Sequence, residues 1–171
     1  MADPDPVDEL PAVIGEICIM WSHIESRLRD ICISHAISRV PVDAIEHVRP
    51  ILELWSANLG EKQLISISIA TLFDALDRDN FDIAQRLINS IDNDLRGKRN
   101  RCVHDLWIVY PDRIEKTRYA TKVKSTQSRT SSTEIVNVET YSSIDEIRKL
   151  ASDLSDVHGK LGEYIKSFSL S

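Results

Sequence analysis

The stretch Pro11–Ser38, PAVIGEICIMWSHIESRLRDICISHAIS, decides the fold. Within it Ile14, Ile17, Trp21, Ile24, Leu28 and Ile31 recur at alternating steps of three and four. That spacing lines apolar side chains along one face of a helix. Pro11 suits a first turn, where its missing N–H costs nothing, and Val40-Pro41 closes the run. A helix over residues 11–38 rises roughly 40 Å at about 1.5 Å per residue. In a chain of 171 residues such a helix belongs in a bundle.

Working outward, Asp43 is placed to cap a second helix over residues 43–58, carrying Ile45, Val48, Ile51, Leu52 and Trp55. Pro50 should kink or split it. A third helix spans 61–77, although Leu64 to Ile69 alternates with period two. It is read as helix because a lone strand between helices has nothing to pair with. Asp79 or Asn80 caps a fourth helix over 80–105, with Phe81, Ile83, Ala84, Leu87, Ile88, Ile91 and Leu95 inward and Gly97 loosening its later part. Trp21, Trp55 and Phe73 lie on apolar stripes and are assigned to the core.

The helical period is lost after Asp105. Leu106 to Tyr110 is a short apolar run, Pro111-Asp112 a turn, and Arg118–Lys124 and Glu134–Thr140 alternate, with Ser125–Thr133 as a loop tip. Ser143-Ile144-Asp145-Glu146 forms a capping box that opens a last helix over 143–168. The fold class is therefore mainly α: an antiparallel helical bundle of four or five helices. A small antiparallel β-meander, residues 106–140, is inserted before the C-terminal helix. One domain covers 1–171.

Hydrophobic content of 42% and charged content of 28% suit a globular chain. The three cysteines Cys18, Cys32 and Cys102 form no CxxC pair and leave one thiol over, which points to a reducing compartment. The acidic, proline-broken start is unlike a signal peptide, and no apolar run is long enough to cross a bilayer. The expected location is the cytoplasm, without a membrane. Net charge is −6, yet residues 96–130 hold ten Lys and Arg against three acids, +7 in a chain whose remainder is −13. A basic stretch in an acidic protein suits a local anion or nucleic-acid site.

That stretch opens with Arg99-Asn100-Arg101-Cys102-Val103-His104. Asn100 and His104 are i,i+4 neighbours on one helix face, and Arg99 lies about 100° round, within reach of its long side chain. His moves protons near neutral pH, and the Arg fork matches a phosphate. No HExxH, zinc-type cysteine spacing or phosphate-cradling glycine loop is present in the sequence. No metal and no cofactor are called for. The bland alternative is a His capping a helix dipole and an Arg paired with a carboxylate such as Glu25.

This hexapeptide, late on a bundle helix, resembles the signature of HEPN proteins: Arg, four to six intervening residues of which the first is polar and often Asn, then His. The loose form of the pattern also fits Arg29 to His35, a chance match read as two surface residues. The resemblance is sharp only over Arg99–Trp107. It implies a metal-independent endoribonuclease acting as a homodimer, in a toxin or phage-defence role, with RNA cut through a 2′,3′-cyclic phosphate. Arg99 would stabilise the phosphate, His104 would be general base or acid, Asn100 would orient one of them, and Glu25 would support Arg99. Arg96, Lys98, Arg101, Lys122 and Lys124 are the candidate RNA-binding cations. The rival reading is a non-catalytic HEPN-like module for nucleotide, RNA or a partner protein, a nucleotidyltransferase-type antitoxin among them.

Overall fold

The computed structural model of the chain describes residues 6–123, 131–141 and 143–168. Its elements are helices α1 (Pro6–Ser38), α2 (Ile45–Ala57), α3 (Glu61–Ala75), α4 (Arg78–Ser90), α5 (Arg96–His104) and α6 (Ile144–Phe168) and strands β1 (Leu106–Val109), β2 (Ile114–Val123) and β3 (Ser131–Tyr141). A 3-10 turn, Val42–Ala44, precedes α2, and a π-helical turn, Ile91–Leu95, joins α4 to α5 without a break. Counting α4 to α5 as one element, five helices and a three-stranded meander make a mainly α fold. Among the described residues no helix is long and apolar enough to cross a membrane.

The chain forms two compact units. One holds the part of α1 up to Cys18 together with Lys98–Ala151; the other holds Ile19–Gly97 and the chain from Ser152 on. In the second unit Trp21, Ile24, Leu28 and Ile31 of α1 are buried, as their spacing predicts, with Leu64, Leu72, Ile88, Leu154 and Leu161. Ser68 of α3 hydrogen-bonds to the Leu28 carbonyl, and His35 lies against Asp74, so α1 and α3 run the same way. Short links reverse direction at α2 and again at α4, the up-and-down order of an antiparallel bundle. The Leu64–Ile69 alternation is indeed helical: Leu64, Ile65, Ser68 and Leu72 are buried, a 3.6-period face.

Several local expectations are corrected. Helix α1 begins at Pro6, so the first-position proline is Pro6 and Pro11 lies inside the helix. Asp43 makes no side-chain cap bond. The fourth helix is capped by Asp77, which accepts the Asn80 N–H at 3.0 Å, because Leu76 and Asp77 are still extended. Pro50 leaves α2 unbroken; it is exposed, and water can take the bond its ring cannot make. The irregular turn lies at Ile91–Leu95, ahead of Gly97, which is itself α-helical. Of the expected core aromatics only Trp21 is interior. Trp55 is 44% and Phe73 70% exposed, Phe73 meeting Phe81 edge-on at 5.1 Å. Ile51 and Ile83 also face solvent, while Ser56 of α2 is buried.

The meander is antiparallel in the order β1-β2-β3. Its last strand starts at Ser131, earlier than the alternation suggested, and the remainder of the expected loop tip, with Lys124, lies outside the described residues. One row crosses all three strands: Trp107 opposite Lys116, and Lys116 opposite Glu139.

Candidate active site

Helix α5 carries the motif. The Arg99 guanidinium donates through Nη1 to Asn100 Oδ1 at 2.8 Å. The long side chain thus swings onto the face that Asn100 shares with His104. His104 occupies the last helical position and is solvent-exposed. A permanent cation, a polar amide and a titratable ring therefore stand within about one and a half turns of helix, the ring open to an incoming molecule.

The supporting residues divide. Glu25 is engaged on its own helix, accepting from Trp21 Nε1 at 3.0 Å and facing Arg29 at 3.7 Å. Arg96 pairs with Asp92 at 2.8 Å, and Arg101 Nε lies 3.7 Å from Glu139. Both are half-exposed pairs, worth little in stability but lowering the free positive charge. Lys98 is half-buried, and Lys122 belongs to β2. The sequence sum overstated the basic surface because two acids lie outside residues 96–130: Asp92, one helical turn before Arg96, and Glu139, a neighbour of Arg101 only in the fold.

The two residues of the second match are half-buried, and each is paired with a carboxylate. Arg29 is half-buried beside Glu25, and His35 hydrogen-bonds to Asp74 Oδ2 at 3.2 Å, a carboxylate that also binds Arg39. Arg29 lines a groove of about 350 Å³ between α1 and α2 with Arg49, Asp30 and Glu53, two cations against two acids.

Sequence reasoning missed a buried charged cluster beside α5. Lys116 is 3% exposed. Its Nζ reaches Glu139 Oε2 at 2.5 Å and Tyr141 Oη at 2.8 Å and lies 5.5 Å from the Trp107 ring and 5.3 Å from the Tyr141 ring. The Tyr141 hydroxyl donates to Glu139 at 2.6 Å. Trp107 Nε1 donates to the carbonyl of Cys102 on α5 at 2.9 Å. Burial would push the Lys116 ammonium down, but Glu139 and Tyr141 outweigh it and hold it above the usual lysine value. Burial likewise works to raise Glu139, yet hydrogen bonds from Lys116 and Tyr141 hold it below the usual range. Burial lifts the Cys102 thiol, so it stays protonated. The available signal was the period-two pattern itself, which puts Trp107, Lys116 and Glu139 on one face once the register is known.

Among the described residues no cluster of three His, Cys, Asp or Glu is arranged to hold a metal ion. Comparison with family models, with curated proteins and with solved structures found no match in any of the three.

Proposed function

We propose that the chain is a HEPN-like endoribonuclease that cleaves RNA without a metal, as a homodimer, in a toxin or phage-defence role. The observation that carries this reading is the Arg99–Asn100 hydrogen bond with an exposed His104 one turn further on. His104 takes the proton of a ribose 2′-hydroxyl, whose oxygen attacks the adjacent phosphate. Arg99 stabilises the charge that develops on the phosphorane, and Asn100 holds the guanidinium in place. The 5′-oxygen leaves with a proton from an acid, the same histidine of a second copy. The products are a 2′,3′-cyclic phosphate and a 5′-hydroxyl. One histidine cannot be base and acid in a single step, which is the argument for the dimer. Ile19, 56% exposed on α1, remains available to such an interface, whereas Cys32 is buried against Ser68 and is not.

The test is incubation of purified protein with mixed RNAs in excess EDTA. Cleavage with cyclic phosphate ends, and none of DNA, is expected. A second reading draws on the ion pairs of Arg96 and Arg101, which leave less free charge for phosphate beside the motif: a non-catalytic module for nucleotide, RNA or a partner protein, a nucleotidyltransferase-type antitoxin among them. It takes over if no RNA is cut while such a partner still binds.

A further inference from the structure

We propose that the β-meander is a clamp on the final turn of α5, with Trp107 and Lys116 acting as positioning residues for His104. The inference rests on the catalytic use of His104 proposed above.

The last carbonyls of a helix have no helical donor, and its final turn frays. Here the final residue is the one whose ring must be held. Trp107 Nε1 supplies the missing donor to Cys102, and the Asp105 N–H bonds to the Arg101 carbonyl at 3.1 Å. Trp107 is fixed in turn by the Tyr141 ring at 5.7 Å and by Lys116. Lys116 is pinned between Glu139 and Tyr141, and Arg101, on the turn being held, approaches the same Glu139. The α5 turn therefore reaches one ladder through two routes, an indole and a guanidinium. An apolar residue at 116 would pack the sheet without the cost of burying an ammonium. A buried pair of this kind fixes one geometry more than it adds stability.

Trp107→Phe keeps the aromatic body and deletes the donor. It should lower kcat about tenfold to a hundredfold, the scale of a small misplacement, with KM and salt dependence unchanged and Tm within a few degrees. Lys116→Met should act in the same direction, and Lys116→Arg should restore most of the rate. Hydrogen exchange at Val103, His104 and Asp105 should quicken in Trp107→Phe while α3 stays protected. Wild-type kcat with unchanged exchange in Trp107→Phe overturns the clamp. So does a fall in kcat that tracks Tm with exchange rising everywhere, since that is plain destabilisation. If the wild type cuts no RNA, the ribonuclease reading fails on its own. Exchange then still decides the clamp: local quickening at residues 103–105 keeps it, and its absence ends it.

Discussion

Two stretches of this chain fit the same loose Arg-to-His pattern and differ in what the fold does with it. On α1, Arg29 faces Glu25, and His35 is hydrogen-bonded to Asp74, so the imidazole and the guanidinium both serve internal carboxylates. On α5, Arg99 turns to the neutral Asn100, and His104 stands exposed at the helix end. The contrast that counts is at the imidazole: the His35 ring is bonded to a carboxylate, and the His104 ring is exposed. Spacing supplies reach; what the ring already touches decides whether that reach is left for a substrate.

The comparison breaks most visibly at His104. His104→Ala should lower the rate of EDTA-resistant RNA cleavage by roughly 10²–10⁴, the usual worth of one general acid–base group. Arg99→Ala should cost on the order of 10², by removing charge from beside the phosphorane. Asn100→Ala should cost less than either, because it removes one hydrogen bond to the guanidinium and keeps the cation itself. A wild-type rate in His104→Ala would place the chemistry elsewhere.

The helices were legible because apolar periodicity is a local property. Trp21, Leu28 and Leu154 declare their burial from spacing alone. Trp55 and Phe73 misled because a stripe says which face is apolar, not whether anything covers it. The motif residues were legible as a spacing, but their partners were not. Glu139 lies 38 positions beyond Arg101, and only strand register brings it into the Trp107–Lys116 row. Lys116, one of the ten cations summed along residues 96–130, is among the most buried of the described side chains of the sheet. Charge sums along a segment cannot see such a neighbour.

A smaller effect concerns charge outside the motif. Lys122→Glu on β2 should weaken RNA binding and flatten its dependence on salt, with kcat unchanged. Arg96→Ala should weaken binding only slightly, since Asp92 already offsets that cation. A steep loss of binding in Arg96→Ala, read at several salt concentrations, would show that this ion pair does not shape the RNA surface.

The pH response of the clamp should be flat over most of the range. Glu139 sits below its ordinary 4.5, so its stabilisation is present above that value and is lost as pH falls through the folded value. Lys116 sits above its ordinary 10.5, so its stabilisation is present below that value and is lost as pH rises through the folded value. Exchange protection at residues 103–105 should therefore hold between about pH 5 and 10 after correction for intrinsic rates. Protection that falls between pH 6 and 8 would implicate another group.

The smallest effect on activity should come from the other match. Arg29→Ala and His35→Ala should leave RNA cleavage within about twofold of wild type, well under the loss expected of a general acid–base group. Their effect should appear in stability instead, and with a definite sign. Hydrogen bonds from His35 and then Arg39 hold the Asp74 carboxyl below its ordinary 3.8. A carboxyl shifted that way stabilises the fold above its unfolded pKa and ceases to do so as pH falls through the folded value. The Tm of His35→Ala should therefore lie slightly below wild type near neutral pH, and the gap should close in strong acid. Thermal melts of the two proteins across pH 2–7, each repeated in high salt, would read this directly. A large loss of cleavage in His35→Ala with no change in Tm would mean that the α1 pair had been assigned to the wrong side of the comparison.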